Sequence, residues 1–124
     1  MIISNSGKTI FNGYNVTATT NYVYNSSGGT GAEDGWVNAR YDYNVLGICV
    51  ATLNATSVTY RIEGRTTTYT RPISIANASL NSADTIDTKV NITDHFNEIR
   101  VGIRVNNSAT PNNVYCGLSQ SETK

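Results

Sequence analysis

From residue 98 the chain alternates charged and aliphatic side chains without a break. Ile99, Val101, Ile103 and Val105 fall on one parity, and Glu98, Arg100, Gly102 and Arg104 on the other. A period of two is the signature of a β-strand, whose successive side chains point to opposite faces. It therefore predicts a strand with an aliphatic face in a core and a charged face in water. Residues 106–113 are polar and contain Pro111, too rich in turn residues to continue the strand. Val114, Cys116 and Leu118 then resume the alternation. The two runs read as an antiparallel hairpin, one side dry and one side wet.

The same reading extends along the chain. Residues 14–25 alternate as one long strand with the even positions inward, from Tyr14 through Val16 to Tyr24. Residues 26–35 hold four glycines and two acids, Glu33 and Asp34, and read as a flexible loop. Residues 36–43 form the next strand, with Val37, Ala39, Tyr41 and Tyr43 sharing a face. Residues 45–53 are almost wholly apolar, the pattern of a strand buried on both sides or covered by a neighbouring arm. Residues 57–63 place Val58, Tyr60 and Ile62 inward and Thr59, Arg61 and Glu63 outward. Pro72 demotes residues 67–76 to an edge, residues 76–85 form a polar connection, and residues 86–92 alternate again.

Residues 1–13 are apolar at Ile2, Ile3, Ile10 and Phe11 but interrupted by Gly7 and Gly13, which suits an arm or edge strand better than core. The fold class expected is all-β: an antiparallel β-sandwich of jelly-roll type, eight strands or nine with the arm. Residues 1–13 form the arm and residues 14–124 a single sandwich domain. No period of 3.6 argues for a helix, and no internal repeat or linker is visible.

Formal net charge is zero, and the six arginines and three lysines are scattered. Phosphate binding needs a basic surplus on one face, so nucleic acid is not an expected partner. No apolar run approaches a membrane span, and the first residues lack the basic start and long apolar core of a signal peptide, so neither membrane nor export by that route is expected. Polarity comes instead from 16 Asn, 17 Thr and 11 Ser. The two cysteines, Cys49 and Cys116, lie in apolar strand patterns and read as buried reduced thiols rather than a disulfide.

No constellation for catalysis stands out, and no enzyme, metal or cofactor is expected. His95, the one histidine, sits beside Asp94 in a turn without the further ligands of a metal site or the partners of a triad. Gly7-Lys8-Thr9 lacks the preceding glycine and the following helix of a phosphate-binding loop. Glu33 with Asp34, and Asp84 with Asp87, read as solvated loop acids; they lack the dense oxygen ligands of a calcium loop. Among the aromatics, Trp36, Tyr69 and Tyr115 fall out of phase with their aliphatic neighbours and are expected at the surface, where they suit a sugar or a protein partner equally.

Four stretches carry a resemblance: V-T-Y-R-I-E-G-R at 58–65, A-D-T-I-D at 83–87, I-T-D-H-F-N-E-I-R-V-G-I-R-V at 92–105 and A-T-P-N-N-V-Y-C-G-L at 109–118. This half of the chain resembles small β-sandwich virion proteins of tailed bacteriophages, of the capsid decoration (cement) type. The resemblance implies a structural protein of the virion, assembled in the host cytoplasm, binding the major capsid protein and itself as a homotrimer. The alternative within the same class is a tail, collar or receptor-binding component that holds carbohydrate. On this reading the contact residues are the apolar arm, Ile2, Ile3, Ile10 and Phe11, together with Trp36 and Tyr69.

Overall fold

A computed structural model describes residues 3–16, 21–52, 57–66, 69–80, 88–106 and 112–123. These hold eight strands and no helix: β1 (Ile3–Val16), β2 (Val37–Asn38), β3 (Tyr43–Thr52), β4 (Ser57–Thr66), β5 (Tyr69–Leu80), β6 (Thr88–Ile92), β7 (Glu98–Asn106) and β8 (Asn112–Thr123). They form two four-stranded antiparallel sheets, ordered β1-β8-β3-β6 and β2-β7-β4-β5, packed as a β-sandwich. The pairs are nested: β1 with β8, β2 with β7, β3 with β6 and β4 with β5. One long hairpin, folded at the β4–β5 turn and rolled up, gives this order, because rolling also sets β8 beside β3 and β7 beside β4.

The alternation of residues 98–105 is realised in full on its aliphatic side. Ile99, Val101, Ile103 and Val105 are completely buried, facing Leu46, Ile48, Val50 and Val114 of the other sheet within one core. The partner strand differs from the expected hairpin. β7 pairs with β4 and β2, whereas β8 pairs with β1 and β3, so the chain crosses from one sheet to the other between them. Alternation fixes which face is dry, but both sheets of a sandwich offer a dry face, and pairing within one sheet does not follow from it.

The N-terminal segment is an edge strand of the sandwich, the alternative to the arm, and contrary to either expectation it enters the core. β1 pairs with β8 from Ile3↔Thr123 to Val16↔Asn112, and Ile10, Phe11 and Val16 are buried in the core. Two bulges, between Thr9 and Phe11 and between Asn12 and Tyr14, explain why the segment did not read as core. A bulge inserts an unpaired residue and switches the parity, so adjacent Ile10 and Phe11 are both buried and the period of two is lost. Gly13 sits at the second bulge with φ of 66°, a left-handed conformation that glycine adopts freely.

Three other stretches differ from the expected strands. Of residues 36–43 only Val37 and Asn38 pair as β2, while Tyr43 opens β3 and is 59% exposed. The inward parity also switches near residue 23, where Val23 is buried and bonds Ile103 through both its N–H and C=O at 2.9 Å. Third, β5 runs on to Leu80 as the edge strand, through part of the expected polar connection. Asn44, Gln120 and Asn38 tie the crossing into β3: the Gln120 amide donates to Asn38 O at 2.6 Å and to Asn44 Oδ1 at 3.0 Å. Among the described residues no helix is long and apolar enough to cross a membrane.

Candidate functional site

The outward face of the β2-β7-β4-β5 sheet carries the most concentrated chemistry. Strands β4 and β7 pair in continuous register, which sets Arg65 opposite Glu98, Glu63 opposite Arg100, Arg61 opposite Gly102 and Thr59 opposite Arg104. Opposed charges directly across a ladder attract, and here they close into contact. The Arg100 Nε–H donates to Glu63 Oε1 at 2.9 Å, with both side chains about nine-tenths buried. Arg65 reaches Glu98 and Glu33, each at 2.9 Å. Burial pulls the Arg65 pKa down, but the hydrogen bonds and charges of Glu33 and Glu98 outweigh it and leave it raised.

What buries this charged face is the loop between Val23 and β2. Val23 and β2 both pair along the same edge of β7, at Ile103 and at Glu98–Ile99, so the residues between them are an excursion from one edge strand. The excursion folds back over the sheet. Tyr24 lies on Arg100 at 3.7 Å and Trp36 on Arg65 at 4.2 Å and Arg100 at 4.7 Å, while Tyr22 takes Arg61 at 4.3 Å and Arg104 at 4.9 Å. All lie within the ~6 Å over which a cation is held by a ring face. The Tyr24 hydroxyl also accepts a hydrogen bond from Arg61.

Far from a flexible loop, this segment is pinned at several points. One Arg100 terminal nitrogen donates to the carbonyls of Gly31, Ala32 and Asp34 at 3.0, 3.1 and 3.3 Å. The Trp36 indole N–H donates to Ala32 O at 2.9 Å, and the Asn25 side chain accepts from the N–H groups of Ser27 and Gly29. Glycine is required where the rings come closest. A Cβ on Gly102 would lie 2.7 Å from the Tyr24 ring, and one on Gly35, at φ of 80°, would lie 2.3 Å from Tyr24 O.

The residues singled out from sequence are dispersed. Ile10 and Phe11 are core, so they are not free to anchor a partner. Trp36 is half-buried between two guanidiniums rather than an open platform. Ile2, Asp84 and Asp87 lie outside the described residues, and the side chains of Ile3 and Tyr69 do too, although both backbones are in strands. Glu33 pairs with Arg65, and Asp34 accepts from Gly31 N–H at 2.9 Å. His95 is exposed, on an open cleft of about 650 Å³ with Asp42, Tyr43, Asn91 and Thr93. Among the described residues no group of three His, Cys, Asp or Glu side chains is placed to hold a metal ion.

Neither Cys49 nor Cys116 is in a disulfide. Cys116 pairs with Ile48, and Cys49 with Tyr115, so the two thiols point to opposite faces of one sheet and cannot meet. Burial pushes the Cys116 thiol up to about 12, from 9.0. The folded chain therefore keeps a proton that the unfolded chain loses. Its stabilising effect is complete below pH 9 and is lost as pH rises through the folded value, at about 1.4 kcal/mol per pH unit in that window. Denaturant titrations of the wild type and Cys116→Ala between pH 8 and pH 11 are expected to diverge in slope by about this amount. Parallel curves would show that Cys116 does not stay protonated.

The opposite outward face, on the β1-β8-β3-β6 sheet, is of a different kind. Gly47 pairs with Gly117 at its middle, and open space surrounds Gly47. Val45, Cys49 and Ala51 flank Gly47 on β3 and are half-buried, and among the described residues no segment lies over this apolar strand from outside. Tyr43 and Tyr115 stand exposed on the same face, and Lys89 is its one charge among the described side chains. A shallow depression of about 290 Å³ runs from Thr9 and Asn12 across Gly117 to Cys49.

No protein-family model matches the chain, and neither a curated protein nor a solved structure does.

Proposed function

We propose that this chain is a non-enzymatic virion structural protein of the capsid decoration type, docking through the outward face of the β1-β8-β3-β6 sheet. The observation that carries the reading is that flat, charge-poor face with two exposed tyrosines. Interface centres are depleted in charge and enriched in tyrosine, as this face is around β3 and β8. The nested strand pairing supports the jelly-roll assignment, and the sequence resemblance supplies the class of partner, the major capsid protein, with self-association as a trimer. Docking then rests on a sheet face. Ile10 and Phe11, buried in the core, do not supply it.

Gly47 gives a clean test. Its φ is not positive and a side chain there meets no atom, so Gly47→Arg is expected to leave the melting temperature within a few degrees. It puts a charge at the centre of the charge-poor face, and co-sedimentation with purified particles is expected to be lost. Full occupancy of the particle by Gly47→Arg would reject this face as the docking surface.

A further inference from the structure

At one end of the arginine ladder a positive charge has no carboxylate beside it. Arg104 faces Thr59 across the register and stacks on Tyr22, and it makes no ion pair among the described residues. Its Nε is buried without a hydrogen-bond acceptor, and so is that of Arg61, which lies 3.7 Å from Glu63 Oε1. Both guanidiniums are held on the same Tyr22 ring, at 4.3 and 4.9 Å, and Gly102, opposite Arg61, leaves room for the Tyr22 and Tyr24 side chains. Two like charges gathered on one ring repel, and a buried N–H without an acceptor costs stability. An anion bridging the pair removes both costs.

The charge count selects the kind of anion. Arg61, Arg65, Arg100 and Arg104 are in contact with Glu33, Glu63 and Glu98, a surplus of one, which suits a monoanion better than a phosphate dianion. The planar fork of a guanidinium matches a carboxylate in particular. Around the pair the sheet offers neutral hydrogen-bonding groups rather than apolar ones: the hydroxyl of exposed Ser79, 3.2 Å from that of buried Thr59, and exposed Asn77 opposite Arg61. A hydroxyl and an amide beside a guanidinium pair and an aromatic ring fit a polyhydroxylated carboxylate. We propose that Arg61, Arg104 and Tyr22 form a binding site for the carboxylate of an acidic sugar, a uronic or sialic acid residue of a glycan. The site lies on the sheet opposite the docking face and does not depend on it.

The test is an NMR titration of the isotope-labelled full chain with sodium glucuronate, with glucose, acetate and inorganic phosphate as comparators. Glucuronate is expected to shift the Arg61 and Arg104 Nε–H resonances, to saturate in the millimolar range, and to bind about tenfold tighter than acetate. Glucose is expected to leave those resonances in place. Among the described residues Arg104 makes no hydrogen bond and no ion pair, only its stack on Tyr22, so Arg104→Gln should melt within a few degrees of the wild type while weakening glucuronate binding by about tenfold or more. Unmoved resonances, undiminished binding by Arg104→Gln, or acetate, glucose or phosphate binding as tightly as glucuronate would overturn the proposal. Gly47→Arg, which tests the docking face, is expected to bind glucuronate normally, so the two readings fail separately.

Discussion

Arg100→Ala is expected to destabilise the fold by about 3–5 kcal/mol, although the residue lies on the outward face of a strand. Alternation alone places Arg100 in water, where its loss would cost under about 1 kcal/mol. The structure places it 5% exposed, with Glu63 at 2.9 Å and three loop carbonyls on one of its nitrogens. Truncation leaves the Glu63 carboxylate buried with only Arg61 at 3.7 Å, and it takes a donor from three loop carbonyls, of which Ala32 O keeps the Trp36 indole and Gly31 O keeps the Asp34 N–H. It also removes the cation from beneath Tyr24 and Trp36, so the loop over the sheet loses its central pin.

Denaturant unfolding measures the loss, and Trp36 fluorescence reports the loop, with a shift to longer wavelength as the indole meets water. A double-mutant cycle separates the pair from the loop. Replacing both Arg100 and Glu63 with apolar residues should cost far less than the sum of the single changes, because neither charge is then left alone. Strict additivity, or a loss below about 1 kcal/mol for Arg100→Ala, would mean that the face is solvated after all.

How far the sequence leads is clear from this face. The parity of residues 98–105 was legible, as was that of Val58, Tyr60 and Ile62, because buried aliphatic positions leave a period that needs no partner to be read. Whether the other parity meets water depends on what lies above it, and that is a contact between residues far apart in the chain. The signal for the covered face was nonetheless present. Residues 61–65 read R-I-E-G-R and residues 98–104 read E-I-R-V-G-I-R, and antiparallel pairing of the two sets acid against base. It becomes readable only once β4 is known to pair with β7, and expecting β7 to pair with β8 concealed it. The glycines of the covering loop suggested mobility, whereas at Gly35 a glycine is what lets the backbone pass Tyr24.

Phe11→Ala is expected to cost about 3–5 kcal/mol, enough to leave a domain of ordinary stability largely unfolded. The side chain is 1% exposed and packs in the core with its ring centroid 5.5 Å from that of Tyr14. Removing it opens a cavity under β8, where strands above and below hold the backbone and relaxation is limited. Deleting residues 1–11 should do more. It strips the paired segment of β1 from Ile3 to Phe11, exposes the edge of β8, and uncovers Cys116, which pairs with Phe11. An uncovered central strand is a template for pairing with other chains, so the truncated protein is expected to aggregate. Lys8→Ala is the control, an exposed change in the same strand expected to fall within ±0.5 kcal/mol. Thermal melts of the three variants decide between two uses of the N-terminus. If residues 1–11 are a detachable arm, the truncated chain melts as the full chain does. If they are β1, it has no cooperative transition, and loss of particle binding by that truncation reports unfolding rather than a missing anchor.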